Sequence, residues 1–276
     1  MVSANALSPF PSIVHRLPST EFIMQTKNIL GIDVGGSNIK GAIVDLTKGE
    51  LITERAKIET PSPSTPNAVA KVFVELVKRL KYRGKIVGCG FPSIIKEGVC
   101  YSAANIDKKW KGTDVASLFS KASGKKVYVT NDADAAGISE MQYGVGKGVK
   151  GSVLLITIGT GLGTALFSDG KLVENTEFGH LPFKGRIAEK YVSKTAMRED
   201  NLDWDEFGSR FNEYLHVIER LISPNLIILG GGISKKFNSF SGKIDLDTKV
   251  VPAEMFNHAG IIGAALFGYN HVGKIK

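Results

Sequence analysis

A short glycine turn with acidic and basic neighbours lies near the start of the chain. It follows an apolar run typical of a strand, and its residues with functional chemistry are Asp33, Gly35, Gly36, Ser37 and Lys40. Glycines let a backbone approach an anion closely and offer N–H groups to phosphate oxygens. The Asp33 carboxylate suits a Mg²⁺ ion held through water. The alternative interpretation is a plain hairpin turn whose Asp33 and Lys40 are only solvated.

Two further glycine clusters follow apolar runs later in the chain. Gly159, Thr160 and Gly161 repeat the first pattern, and the Thr160 hydroxyl with the nearby amides can hold a phosphate. The triplet Gly230, Gly231 and Gly232 lets a flat group such as a purine lie against the backbone. Each cluster is a weak signal alone. Three of them at strand ends, spread over both halves, predict a phosphoryl donor bound in a cleft between two lobes.

The elements that position these turns form a repeated pattern. Strands are expected at 28–34, 39–46 and 51–58, which together make a meander broken by the first glycine turn. A second meander is expected from strands at 152–158, 164–167 and 171–173. The recurrence predicts two related lobes that face one cleft, with chance similarity as the alternative.

Helices and further strands separate the two meanders and follow the second. Thr65 is expected to cap a helix over 67–80, and Asp203 with Glu206 is expected to open another through a capping box. The remaining expected elements are strands at 85–91, 126–130 and 226–229 and helices at 133–143 and from 259 to about 268. Residues 1–26 are rich in proline and serine and are expected to be a disordered extension, with organelle targeting as the alternative.

Composition and motif searches exclude several classes of protein. The chain lacks the G-x-x-x-x-G-K-S/T signature of P-loop enzymes and any apolar run long enough for a membrane span. Gly146, Gly148 and Gly151 match G-x-G-x-x-G, but the match follows a helix and precedes a strand, opposite to a dinucleotide site. The two cysteines, Cys89 and Cys100, make a poor disulfide framework and favour a reduced, cytoplasmic protein. The net charge of +8 fits a polyanionic ligand or no large partner.

From residue 28 to 267 the chain resembles the ROK family of sugar kinases, and within it the polyphosphate-using branch. The segments that carry the resemblance keep the family's order and spacing; they are 31–37 (GIDVGGS), 103–107 (AANID) with Trp110, 130–136 (TNDADAA), 158–163 (IGTGLG), 175–181 (NTEFGHL) and 230–234 (GGGIS).

The resemblance implies an α/β fold of the two-lobed actin/hexokinase-like (ribonuclease H-like) ATPase architecture with an interlobe cleft. The expected lobes are 27–131, to which a helix over 259–276 returns, and 132–258. Asp132 is expected to be the general base that deprotonates the sugar 6-hydroxyl. The residues expected to bind the sugar hydroxyls are Asn105, Asn131, Glu177, His180 and Glu189. Read without the resemblance, Asn131 and Asp132 can be a simple helix cap, and Asp134 is expected to be one.

The expected cofactor is Mg²⁺, and the expected phosphoryl donor is inorganic polyphosphate, ATP or both. No cysteine follows Cys100, so no structural zinc site is expected. Ser93 and Pro182 depart from the family pattern, and Ser93 is expected to reshape the sugar loop. Four lysines near glycine turns fit a long anionic donor or merely aid solubility: Lys147, Lys150, Lys235 and Lys236.

Three interpretations of function remain at this stage. The first is phosphorylation of glucose or a close hexose in the cytoplasm by a homodimer that binds neither nucleic acid nor membrane. The second is a sugar-binding regulator of the same family, although residues 1–26 are too short and irregular for the helix-turn-helix module that such regulators carry. The third is a catalytically silent kinase homologue, against which Asp33 and Asp132 argue.

Overall fold

The computed structural model describes residues 27–104 and 106–272. The expected N-terminal extension at 1–26, the expected sugar ligand Asn105 and residues 273–276 lie outside the described residues. No helix in the described ranges is long and apolar enough to cross a membrane.

The first half of the chain forms one mixed sheet with helices beside it. Its strands are β1 (Asn28–Val34), β2 (Asn38–Asp45), β3 (Glu50–Leu51), β4 (Ala56–Glu59), β5 (Ile86–Phe91), β6 (Ile95–Lys96), β7 (Val99–Cys100) and β8 (Lys126–Asn131). Its helices are α1 (Pro66–Arg79) and α2 (Val115–Ser123). The sheet order is β3-β2-β1-β5-β8, with β4 also paired to β2, and β6 and β7 form a separate hairpin. Strands β1, β5 and β8 are parallel, so their carboxyl ends meet at one edge.

The second half forms a second sheet of the same design. Its elements are α3 (Asp132–Tyr143), β9 (Ser152–Ile158), β10 (Leu162–Ser168), β11 (Lys171–Val173), β12 (Pro182–Phe183), β13 (Arg186–Ile187), α4 (Lys194–Glu199), α5 (Trp204–Ile222), β14 (Leu226–Gly230), β15 (Val250–Pro252) and α6 (Ala259–Asn270). The sheet order is β11-β10-β9-β14-β15, a meander followed by two parallel strands. The predicted recurrence is therefore confirmed, because both sheets place a meander beside parallel strands in the same order.

The predicted third strand, 51–58, is wrong as a single element. The structure divides it into β3 and β4, both paired to β2. Between them the chain leaves the sheet, with Ile52 about half exposed. The Thr53 hydroxyl accepts a hydrogen bond from the Ile43 amide at 3.1 Å. A side chain thus replaces a backbone partner at this point, which interrupts the ladder.

Helix starts follow the predicted capping chemistry with one exception. Thr65 caps α1, and Asp203 and Glu206 form the full capping box of α5. At α3 the cap is Asn131, whose Oδ1 accepts from the amides of Ala133 and Asp134 at 2.8 and 3.1 Å. The prediction that Asp134 is a cap is wrong. The helix begins two residues earlier, so Asp134 lies inside it. Its side chain is fully buried.

Helix α6 packs on the first sheet although it follows the second in sequence. Side chains of α6 form one core cluster with β1 and β2, including Ile261, Ile262, Ala42 and Val44. Backbones touch directly here: a Cβ on Gly88 would lie 1.7 Å from the Ala264 carbonyl oxygen. A Cβ on Gly263 would lie 1.6 Å from the carbonyl oxygen of Ala135 in α3. Helix α6 therefore returns to the first sheet, while the boundary at 131/132 stays a prediction.

Candidate active site

A cavity of about 570 Å³ lies where the carboxyl ends of the two sheets face each other. The described residues of its wall include nearly all the predicted site side chains; they are Gly35, Gly36, Ser37, Asn38, Lys40, Pro92, Ser93, Ser102, Ala104, Asn131, Asp132, Thr157, Gly159, Thr160, Gly161, Leu162, Gly163, Thr164, Glu177, His180, Glu189 and Gly231. Residues from both halves share this wall, so the site needs both sheets. The location agrees with the rule that open α/β sheets bind ligands beyond the carboxyl ends of their strands.

Asp132 lies in the wall at the first residue of α3, directly after β8. Its Oδ1 accepts a hydrogen bond from the Ala133 amide at 2.9 Å. Burial raises the pKa of Asp132 to about 7, and the negative charge of Asp33 contributes to the shift. A carboxyl group with this pKa is a base whose proton affinity matches a neutral solution, which is favourable for general base catalysis.

Asp33 is the penultimate residue of β1, two strands away from Asp132 in the sheet. Strand β5 lies between them, and Asp33 is paired with Gly90 in its register. Burial raises the pKa of Asp33, although the positive charges of Lys40 and Arg55 oppose the rise. The Lys40 ammonium lies 3.8 Å from Asp33 Oδ2. Asp33 is not part of the cavity wall itself; its carboxylate lies beside the backbone of Gly260 in α6.

One end of the cavity is rich in groups that suit a polyol. Glu177, His180 and Glu189 lie there, and His180 Nδ1 is 3.3 Å from Glu177 Oε2. Burial raises the pKa of Glu177, the nearby His180 lowers it, and Glu189 raises it again. Two short 3₁₀ turns, Phe178–His180 and Ala188–Lys190, position these side chains. The hairpin of β12 and β13 joins the turns and brings Glu189 back towards Glu177.

The opposite end is built from two glycine turns. The turn 35–38 and the turn 159–161 face each other across it. Of the third glycine cluster only Gly231 lies in the wall, and its φ of +78° requires glycine. Gly230 is the last residue of β14 and lies against Thr157, and Gly232 has open space beside it. The backbone amides at this end can donate hydrogen bonds to phosphate oxygens, and the glycines let the phosphate approach closely.

Two predicted lysines lie far from the cavity. Lys147 and Lys150 are exposed in the connection between α3 and β9. The cavity lies at the other end of β9, a distance of roughly 20 Å for a strand of this length. For these two lysines the distance favours the alternative interpretation, that they aid solubility, over a contact with the donor. The glycines beside them belong to the loop at 146–151, whose match to G-x-G-x-x-G lies between a helix and a strand, as predicted.

Several wall residues were not predicted as site residues, and the most informative of them is Ser93, which was noted only for its departure from the family pattern and its expected effect on the sugar loop. Ser93 is almost fully buried, and its hydroxyl donates to the Ser102 carbonyl oxygen at 2.6 Å. Its own carbonyl oxygen accepts from Asn131 Nδ2 at 3.1 Å. The hydroxyl of Ser93 therefore helps to fix the sugar-side loop, and a glycine at this position could not form the same hydrogen bond. Its place just after β5 could have identified it, since β5 is parallel to β1 and β8.

Asn175 was also missed as an individual residue. Its side chain joins the loop 174–180 to Ile95, on the other side of the cleft. The segment 175–181 was noticed for its resemblance, but nothing in the sequence shows which distant residue Asn175 contacts.

Comparison with known proteins agrees with this geometry. The family model described as "ROK family" matches residues 29–202. A polyphosphate glucokinase from Mycobacterium tuberculosis is 44% identical over 237 residues, which cover 86% of this chain and 89% of the relative.

Two solved structures extend the comparison to the fold. The inorganic polyphosphate/ATP-glucomannokinase from Arthrobacter sp. strain KM superimposes with a TM-score of 0.86 at 47% identity, covering 88% of this chain and 99% of that chain. A ROK family glucokinase from Streptomyces griseus, solved with glucose and AMPPNP, has a TM-score of 0.77 at 22% identity, covering 88% of this chain and 99% of that one.

The predicted fold class is confirmed: the two facing α/β sheets form the two-lobed actin/hexokinase-like architecture. The family match spans more than half of the described chain, and the similarity to the mycobacterial relative spans most of it. This chain is a member of the ROK family.

Proposed function

We propose that this protein is a sugar kinase that transfers a phosphoryl group from inorganic polyphosphate or ATP to the 6-hydroxyl of glucose or a close hexose. The observation that carries the proposal is the position of Asp132. It lies in the cavity wall between the glycine turns at one end and Glu177, His180 and Glu189 at the other. The polyphosphate glucokinase and the glucomannokinase named above support this choice of donor and acceptor.

The chemistry asked of the side chains is limited. Asp132 accepts the proton of the sugar hydroxyl as the hydroxyl oxygen attacks the terminal phosphorus of the donor. A P–O bond forms, the bond from that phosphorus to the bridging oxygen breaks, and the shortened polyphosphate or ADP leaves. Phosphoryl transfer depends mostly on alignment and charge neutralisation, so one carboxylate in the correct place is sufficient. Asn131, Glu177, His180 and Glu189 hold the sugar hydroxyls, as Asn105 does in the sequence-based prediction.

Mg²⁺ is the proposed cofactor, with Asp33 as its protein partner through water. The residues fit the ion, since Asp33 is a largely buried carboxylate next to a second one, Asp132, and a cation relieves the charge of both. Mg²⁺ is commonly held in proteins by one or two carboxylates, waters and substrate phosphates. When bound, the ion supplies neutralisation of the donor's negative charge.

Positive charges beside the donor end favour a long anionic donor. Arg55 donates to the Asn257 carbonyl oxygen at 3.3 Å, which places it beside the start of α6. Burial lowers the pKa of His258, and the charges of Arg55 and Lys235 lower it further, so these groups lie near one another. Among the described residues, no carboxylate lies within 4.0 Å of the Arg55 or Lys235 side-chain nitrogens. Donor phosphates beyond the one transferred can form ion pairs with Arg55 and Lys235.

The remaining parts of the proposal concern the setting of the enzyme. We propose a cytoplasmic homodimer that binds a sugar and a phosphate donor and neither nucleic acid nor membrane. Both cysteines are buried free thiols, which suits a reducing compartment. Size-exclusion chromatography with light scattering tests the dimer directly.

The experiment that tests the function is glucose 6-phosphate formation with Mg²⁺ and either polyphosphate or ATP. Activity with polyphosphate about tenfold above ATP would place the protein with the polyphosphate glucokinases. Activity with ATP alone would keep the mechanism and remove the polyphosphate assignment. Asp132→Asn should abolish turnover while glucose still binds, and Asp247→Asn, the same change at an exposed carboxylate, should not alter it. No phosphorylation of glucose or mannose by the wild type with either donor would contradict the proposal.

A further inference from the structure

Asn175 makes three hydrogen bonds, and the two with Ile95 connect the two sides of the cleft. Its Oδ1 accepts from the Ile95 amide at 2.8 Å, and its Nδ2 donates to the Ile95 carbonyl oxygen at 2.9 Å. Its own amide donates to Asp134 Oδ2 at 3.0 Å. The backbone of Asn175 has a φ of +61°, a region that asparagine tolerates better than most residues. One residue of the second half thus contacts both β6 of the first half and the helix that begins at Asp132.

The partners of Asn175 belong to the elements that build the proposed sugar site. Ile95 lies two residues after Ser93, whose carbonyl oxygen accepts from Asn131 Nδ2. Asp134 lies two residues after Asp132 on α3. The hydrogen bonds therefore run from Asn131 through the 93–95 segment to Asn175 and back to Asp134. Asp132 is flanked on both sides by members of this chain of contacts, which we call the cleft bridge.

A second, separate anchor holds the Asn175 loop to its own sheet. The Thr164 hydroxyl of β10 donates to the Thr176 carbonyl oxygen at 2.6 Å and accepts from the Phe178 amide at 3.1 Å. Loss of the Asn175 side chain leaves this anchor in place. The loop then keeps its fold but loses its alignment with the opposite wall. A local structural role and a role across the cleft can therefore be separated by experiment.

We propose that Asn175 is a positioning residue that holds Glu177 and His180 in register with Ser93 and the Asp132 helix, so that the sugar end of the cleft is assembled before the sugar binds. The proposal rests on the kinase function proposed above. Preassembly matters because the free energy of ordering a loop on binding is subtracted from the affinity for the ligand. Without the cleft bridge, sugar binding must align the two walls, whereas the donor end has no part in these contacts.

The test compares Asn175→Gly with Asn201→Gly. Glycine keeps both positive-φ backbones and removes only the side chain; Asn201 has a φ of +50° and is exposed in a turn outside the cavity. In Asn175→Gly we expect the Kd and KM for glucose to rise about tenfold, with the KM for polyphosphate changed less than about twofold. Asn201→Gly should match the wild type in every constant. A purely structural role would lower Tm and leave the glucose constants unchanged, which would overturn the proposal.

Two further measurements keep the test decisive. Asn175→Asp retains the acceptor for the Ile95 amide and removes the donor to the Ile95 carbonyl oxygen. If the glycine variant does not fold, Asn175→Asp replaces it and should weaken the binding of glucose but not that of polyphosphate. Hydrogen exchange on the free protein reports the cleft bridge without catalysis: the Ile95 amide should lose protection in Asn175→Gly, which removes its acceptor, but not in Asn201→Gly. Unchanged Ile95 exchange refutes the cleft bridge. A wild type that phosphorylates no sugar refutes the kinase function instead, and the exchange result still decides the cleft bridge.

Discussion

Asp33 and Asp132 lie on either side of one glycine. A Cβ atom on Gly90 would be 3.6 Å from Asp132 Cα and 3.9 Å from Asp33 Oδ1. The absence of a side chain at Gly90 leaves the two carboxylates with little between them. Their mutual repulsion adds to the effect of burial on Asp132.

This pairing predicts the pH dependence of the reaction. Asp132 must be ionised to accept a proton, so kcat/KM for glucose should fall as the pH drops below about 7. Asp33→Asn removes a neighbouring negative charge, which lowers the pKa of Asp132 and moves the acid limb to lower pH, whatever its effect on the maximum rate. The measurement is kcat/KM across about pH 5 to 9 at saturating donor. An acid limb in the same place for the wild type and Asp33→Asn would contradict the coupling, with Asp247→Asn as the control.

Asp134 predicts a separate pH effect, on stability. Burial raises its pKa to about 7, above the value of about 3.9 expected in an unfolded chain. The folded protein therefore binds this proton more tightly, and the stabilisation is complete below about pH 4 and is lost as the pH rises through about 7. Asp134→Asn retains an acceptor for the Asn175 amide and cannot ionise. The fall in the free energy of unfolding between pH 5 and pH 8 should be smaller in the variant, by on the order of 1–3 kcal/mol.

Urea unfolding at the two pH values measures this difference. The other buried carboxyl groups are common to both proteins, so their contributions cancel in the comparison. An equal fall in the wild type and in Asp134→Asn would show that Asp134 is not responsible.

The donor end predicts a charge effect on KM. Arg55→Gln and Lys235→Gln should each raise the KM for polyphosphate by about tenfold, since each removes a charge-assisted contact to phosphate. The KM for glucose should stay unchanged because neither residue lies in the cavity wall beside Glu177, His180 and Glu189. Lys150→Gln is the matched control: it removes the same charge from the far end of β9. Steady-state kinetics with varied polyphosphate decide the matter, and an equal response of all three variants would point to a general charge effect.

Gly231 and Gly232 form a second matched pair. A Cβ on Gly231 would lie 2.5 Å from the Ile158 carbonyl oxygen, and its φ is +78°, whereas nothing lies within 4 Å of a Cβ on Gly232. Gly231→Ala should lower the free energy of unfolding by about 2 kcal/mol or more and raise the KM for the donor. Gly232→Ala should change neither by much. Thermal unfolding and donor kinetics measure both effects, and a well-tolerated Gly231→Ala would show that this turn adjusts freely.

Local patterns predicted most of the fold, and the features they missed depend on tertiary contacts and burial. Apolar runs predicted β1 and β9, which are buried on both faces, and apolar periodicity predicted α5, which buries one continuous face. The division of β3 from β4 was not predictable, since it depends on the Thr53 hydroxyl meeting the Ile43 amide. Asp134 was misread because a buried acid and a cap look alike in sequence.

The candidate site likewise divides into residues that local patterns predicted and residues whose roles depend on tertiary contacts. The residues next to glycine turns were predictable, because their spacing carries the family resemblance. The place of Ser93 just after β5 was a usable signal. Its contact with Ser102 and the contact of Asn175 with Ile95 were not predictable, since only the folded chain creates them. The distance of Lys147 and Lys150 from the cavity likewise depends on the direction of β9, which a count of glycines does not reveal.

The return of α6 to the first sheet has a consequence for synthesis on the ribosome. Strands β1 and β2 emerge early, yet the apolar face that Ile261 and Ile262 cover stays open until α6 has been made. During translation the second half can complete its own sheet while this face of the first sheet is still exposed to water. Nascent chains halted before α6 should therefore be the species that chaperones bind most strongly.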